Sequence, residues 1–163
     1  MSSTTLPDLA LARPAAKPVV PAFAAIQNAL SPFAEPLVRV ATGLFLAPHG
    51  AQKLFGAFGG YGIEATGQFF ASKLGLPTSF ALLAGLIEFV GGIALALGLL
   101  TRVAAGFVVG LMAVAVLAVH LPNGYFWTDG GFEYPLLWAI LALSFVIRGG
   151  GRYSLDHAIG HEI

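Results

Sequence analysis

The sequence predicts an all-α membrane protein, a four-transmembrane-helix bundle with a short interfacial helix between spans one and two. Three observations carry that expectation. Of 163 residues, 57% are hydrophobic and only 10% charged, against about a quarter charged in soluble domains, and the mean hydropathy is +0.83. Four apolar windows, at 36–56, 77–100, 103–121 and 132–148, approach the roughly 17 to 25 residues needed to cross a hydrocarbon core of about 30 Å. Arginines and lysines gather at alternate ends of those windows.

Residues 1–35 are expected to form a disordered or surface-associated cytoplasmic tail. Six of the ten prolines precede residue 37, which leaves room for one surface helix near 22–30. Arg13 and Lys17 ahead of "VVPAFAAIQNAL" have the charge order of a signal peptide, but Gln27, Asn28 and the prolines argue against one. Span one, 36–56, carries Arg39, His49 and Lys53, and Pro48 leaves the Leu44 carbonyl without its usual donor. The connection 57–76 holds "GIEATGQFFASKLG", in which Ile63, Phe70 and Leu74 oppose Glu64, Gln68 and Ser72, as suits a helix lying in the interface. Span two, 77–100, has Glu88 as its single charge, with Ala84, Gly85, Gly91 and Gly92 within about 60° of it, a face that admits a close neighbour. Span three, 103–121, presents a seam of Gly106, Gly110 and Ala113 ending at His120, and this seam is expected to face inward. Span four, 132–148, opens with Glu133 and places Pro135 in its first turn, where a missing N–H costs nothing. Residues 157–163 read as a second cytoplasmic tail, and its His157 and His161 as polar surface groups rather than metal ligands.

Orientation follows from charge. Arg13, Lys17 and Arg39 precede or open span one, Arg102 sits between spans two and three, and Arg148 and Arg152 follow span four, while the remaining loops offer only Lys73. The positive-inside rule then places both termini in the cytoplasm and the loops 57–76 and 122–131 outside. Tyr125, Phe126, Trp127 and Tyr134 mark the outer boundary as an aromatic belt, and Arg39 is expected to snorkel to the inner headgroups.

At about 1.5 Å per residue, Lys53, His49 and Glu88 lie roughly 5, 10 and 16 Å below the outer ends of their spans, and His120 and Glu133 close to the outer ends of theirs. Each span therefore delivers an ionisable group to the outer half. An ionised side chain at mid-membrane costs about 2.5 to 3.5 kcal/mol, so Lys53 and Glu88 are expected to pair inside a polar chamber that opens outward. The structural alternative is that Lys53–Glu88, or His120–Glu133, is an ion pair fixing helix register. Absence of cysteine excludes dithiol chemistry, iron–sulfur clusters and thiolate zinc sites, and a net charge of zero gives no electrostatic case for nucleic acid.

The ordered set "RVATGLFLAPHGAQKLFG", "FGGYG", "GLIEFVGGIALALGLLTRVAA", a histidine before "GYFWTDGGFEYPLL", and "YSLD" resembles the DoxX family of small bacterial membrane proteins over about residues 36–156. On that resemblance Arg39, His49, Gly50, Lys53, Glu88, Gly91, Gly92, Arg102, His120, Gly131, Glu133 and Tyr134 occupy recurring motif positions. It implies a four-helix domain in the bacterial cytoplasmic (inner) membrane and relatives described as a thiosulfate:quinone oxidoreductase subunit or as partners in oxidant-defence complexes. Two classes of function stay open. In one, the chamber takes a quinone or small redox molecule, with His49, Lys53 and Tyr134 contacting it, Glu88 passing a proton, and His120 with Glu133 leading to the outer water. In the other, the protein is a non-catalytic assembly or stabilising partner of a membrane protein. A b-type haem held by His49 and His120 fits poorly because their depths differ, and a proton-coupled carrier lacks the internal repeats expected of one.

Overall fold

A computed structural model describes residues 18–161. Among them every regular element is helical: α1 (Pro21–Phe55), α2 (Gly62–Leu74), α3 (Phe80–Leu97), α4 (Thr101–Asn123), α5 (Glu133–Arg148) and α6 (Leu155–Ile159). Helices α3 and α4 are each long and apolar enough to cross a membrane. The chain divides into two compact units, 1–32 and 33–163, and of the first the structure describes the opening of α1. That helix begins earlier than the apolar window: Pro21 sits at its first position, where proline is favoured, and the Ala-rich stretch after it has high helix propensity. The rest of the expected tail, 1–17, and the last two residues lie outside the described residues.

Close backbone approach sets how α1 meets α3. A Cβ on Gly43 would stand 2.6 Å from the Ala96 nitrogen, one on Gly50 2.7 Å from Gly85 O, and one on Gly92 2.8 Å from Gly43 O, so no side chain fits at any of the three. The apolar core draws on all four long helices, with Leu46, Leu95, Ala105, Val108, Met112, Ala142 and Phe145 buried together. The small-residue seam of α4 does not face inward as expected. A Cβ on Gly106 or Gly110 would meet nothing within 4 Å outside its own helix, and both, with Ala113, are exposed, while Ala105, Val108 and Met112 on the other side are buried. Burying the larger residues gains more contact per turn than burying glycines. Gly91 is likewise open, and borders an apolar groove of about 360 Å³ between α3 and α4 that Val90, Val103 and Phe107 also line. Helix α2 buries Thr66 and Gly67 against the start of α3, with Thr78 3.1 Å from the position of a Gly67 Cβ.

At the α3–α4 turn the chain is strained and held. Leu100 has φ 47°, a left-handed conformation rare outside glycine. Asp156 in α6 fixes it: one carboxylate oxygen accepts Leu100 N–H at 2.7 Å, and the other accepts Thr101 N–H at 2.8 Å and the Thr101 hydroxyl at 2.6 Å. Arg39 is 1% exposed and does not snorkel. Its guanidinium donates to Leu95 O at 2.8 Å, Ala96 O at 2.6 Å and Tyr153 O at 2.7 Å. The final carbonyls of a helix lack intrahelical donors and attract cations, which makes the end of α3 a better home than the headgroups. Arg102 does the same for α5, donating to Val146 O and Ile147 O, both at 2.7 Å. Arg148 joins α5 to Glu35 at 3.0 Å.

Candidate functional site

One helical turn separates His49 from Lys53 near the end of α1, so both project from one face. The glycine contacts at Gly50 and Gly85 bring that face against α3, and there Lys53 Nζ meets Glu88 Oε2 at 2.5 Å. The Glu88 side chain is 8% exposed and that of Lys53 26%, so the pair is buried at its acid end and reachable at its basic end. Glu88 lies in a π-helical turn, Ile87–Gly91, inside an otherwise α-helical segment. Such turns re-aim a side chain at the expense of regular hydrogen bonding and recur at functional sites. His49 is exposed, with its ring 6.4 Å from that of Trp138 in α5 at an edge-on angle of 81°.

The other two expected ionisable residues stand apart from this group. His120 ends a second π-helical stretch, Ala115–His120, and its Nδ1 lies 2.6 Å from Gly130 O. Glu133 Oε2 accepts Trp127 N–H at 3.2 Å. Both thus engage the loop between α4 and α5 rather than each other. Tyr134 lies parallel to Trp127, with centroids 5.3 Å apart, and edge-on to Trp138 at 6.2 Å. The structure therefore brings His49, Lys53 and Glu88 together and sets His120, Glu133 and Tyr134 around the outer loop. Trp138 went unnoticed in the sequence because it sits in an apolar run, although its spacing of one turn from Tyr134 puts the two rings on one face.

The DoxX family model matches residues 36–121, which take in most of α1, all of α2 and α3, and α4 as far as Leu121. The chain belongs to the DoxX family. This DoxX protein is 32% identical over 120 residues to a Bacillus subtilis protein named "Putative oxidoreductase CatD", an alignment covering 74% of this chain and 82% of that one. Two Haemophilus influenzae proteins named "Uncharacterized protein" are 43% identical over 79 residues and 36% identical over 62. The DoxX chain spans 59% and 41% of the length of those two relatives. No solved structure matches it. His49, Lys53, Glu88 and His120 fall inside the DoxX match, whereas Glu133 and Tyr134 lie beyond its end. Membership makes this a DoxX-family membrane protein, in keeping with the apolar α3 and α4.

Proposed function

We propose that this protein is a four-span bundle, with α1, α3, α4 and α5 crossing the bacterial cytoplasmic membrane and α2 lying in the outer interface. It serves as a subunit or accessory of a membrane oxidoreductase and takes a quinone or similar small redox ligand in a polar chamber that opens outward. The Lys53–Glu88 pair carries this reading: a charge pair whose acid lies on a π-helical turn, closed at the carboxylate and open at the ammonium, next to an exposed histidine. The relative named as an oxidoreductase supports the reaction class. Arginine placement supports both termini being cytoplasmic. On that orientation Cys at the exposed positions Gln68 and Asn123 (Gln68→Cys, Asn123→Cys) reacts with an impermeant thiol reagent in whole cells, and Ala158→Cys does not; the reverse pattern would turn the chamber inward.

The residues suit a quinone. Its carbonyl oxygens call for N–H donors, which Lys53 and His49 supply, and its ring for flat apolar surfaces, which Trp138 and Tyr134 supply. When bound, the quinone supplies the two-electron, two-proton chemistry that a chain without cysteine lacks, its electrons coming from the partner subunit. Lys53 and His49 hold the ligand oxygen, Glu88 holds a proton beside them, and His120, Glu133 and Tyr134 border the outer mouth. A second reading, a non-catalytic assembly partner, draws on Arg39 and Asp156, whose buried charges hold backbone groups and the Thr101 hydroxyl in place.

One experiment separates the two. Lys53→Met with Glu88→Gln removes both charges together and so avoids an unpaired buried ion, while His49→Gln keeps size and polarity. The quinone reading expects both variants to accumulate with near-parental thermal stability and yet fail to restore quinone-linked respiration or oxidant tolerance to a deletion strain. Full complementation by both, with the fold intact, would make the chamber structural and leave the assembly reading in its place.

A further inference from the structure

The loop between α4 and α5 is closed on itself. Phe132 N–H donates to Gly124 O and Glu133 N–H to Tyr125 O, both at 3.0 Å, and a Cβ on Gly131 would overlap the Gly124 carbonyl. His120 at 2.6 Å and Asn123 at 3.2 Å both reach Gly130 O from the end of α4. The Glu133 carboxylate takes Trp127 N–H, and the Trp127 ring lies over Tyr134 with an interplanar angle of 8°. Tyr134 then meets Trp138, and Trp138 meets His49. A row of rings runs from the exposed loop down to the histidine beside the ion pair.

An interfacial aromatic belt asks only that Trp and Tyr reach headgroup depth. It has no need of parallel rings, of a loop pinned by a carboxylate, or of a histidine at its inner end. Trp127 and Tyr134 are 54% and 45% exposed, so ring surface remains open beside the stack. Flat ring faces favour offset-stacked planar partners.

We propose that Glu133 is a positioning residue: by accepting the Trp127 N–H it sets Trp127 over Tyr134, and these rings with Trp138 form an aromatic wall for a planar quinone-type ring next to His49. This rests on the quinone reading above and narrows it, since Glu133 then acts through an acceptor oxygen and not as a proton carrier. Glutamine offers the same acceptor and alanine none.

The test uses the full chain in detergent with Trp138→Phe, which leaves Trp127 the single tryptophan of the two in the sequence. Without ligand, Glu133→Ala is expected to shift Trp127 emission to the red and increase its quenching by acrylamide, and Glu133→Gln to match the parent. With a short-chain benzoquinone as probe, followed by Trp127 quenching, Glu133→Ala weakens apparent affinity about three- to tenfold, the scale of one aromatic contact, and Glu133→Gln leaves it unchanged. Equal damage from Gln and Ala would assign Glu133 a charge or proton role and overturn the proposal. Parental emission in Glu133→Ala would show that the carboxylate does not position Trp127. A shifted emission with unchanged probe affinity would make Trp127 an interface anchor only. Failure of the protein with both tryptophans intact to bind the probe would sink the quinone reading and the wall with it, while the ligand-free arm still decides whether Glu133 positions Trp127.

Discussion

Gly43→Ala and Gly50→Ala are expected to destabilise the protein severely, whereas the same substitution at Gly106 or Gly110 is expected to leave it unchanged or raise its stability. On propensity alone all four changes help, because glycine in a helix interior costs about 1 kcal/mol relative to alanine. Space decides the sign. A methyl at Gly43 would overlap the Gly92 carbonyl and stand 2.6 Å from the Ala96 nitrogen, and one at Gly50 would overlap the Phe89 nitrogen. These obstacles are backbone, which cannot rotate away as a side chain does, so the cost should reach or exceed the upper end of the roughly 1 to 3 kcal/mol typical of overpacking. A methyl at Gly106 or Gly110 would meet nothing within 4 Å outside its own helix. Thermal unfolding in detergent, with size-exclusion chromatography to establish folding, gives the comparison. Function should follow the first pair, since moving α1 off α3 separates Lys53 from Glu88. Loss of stability at Gly106 equal to that at Gly50 would mean that the α4 seam is packed after all.

Why the seam was placed inward is a matter of solvent. In water, the larger apolar face of a helix identifies itself as core. In a membrane both faces of α4 are apolar, and the small-residue rule is the cue that remains. That rule held at Gly85 and Gly92 of α3, which lie against α1, but not at Gly91, which is open, and it failed for α4, where Val108 and Met112 face the core instead. The all-helical class was legible from composition, and the Lys53–Glu88 contact from the cost of stranding either charge, because both are local or pairwise arguments. The placement of Arg39 was not. A cation near the end of an apolar window looks the same whether it snorkels or turns inward, and its acceptors lie 56, 57 and 114 residues away. Nor did any residue pattern announce the π-helical turns at Glu88 and His120, which are departures in backbone hydrogen bonding that many sequences tolerate. His120 and Glu133 were read by depth as members of the chamber, but hydrogen bonds to Gly130 O and Trp127 N–H depend on a loop conformation that depth does not specify.

Arg39→Met is expected to cost about 3 to 5 kcal/mol, since withdrawing a charged donor from buried acceptors costs about 1 to 3 kcal/mol for each one left short of a partner. The loss removes the guanidinium donor from Ala96 O, Tyr153 O and Leu95 O, the last of which keeps Gly98 N–H at 3.1 Å, and separates the end of α3 from the segment leading into α6. Arg39→Lys keeps the charge but not the planar fork that reaches three carbonyls, so it should recover only part of that stability. Asp156 holds the other side of the same turn, outside the spans. Burial works to raise its carboxyl, but hydrogen bonds from the Thr101 side chain and backbone and from Leu100, with the nearby Arg39 charge, outweigh burial and hold it below the usual carboxylate range. A group whose folded value is depressed adds stability above its unfolded value, about 3.9 for aspartate, and loses it as pH falls through the lower folded value. Wild-type protein should therefore unfold more readily below about pH 4 than its other carboxylates alone would require. Asp156→Asn should already be weaker at neutral pH and show a shallower decline in acid. Because Arg39 and Asp156 brace one turn, Arg39→Met and Asp156→Asn together should cost less than the sum of the two single losses. Strict additivity would show that the two residues act on separate parts of the fold, and an acid profile unchanged by Asp156→Asn would show that the Asp156 carboxyl is not held low.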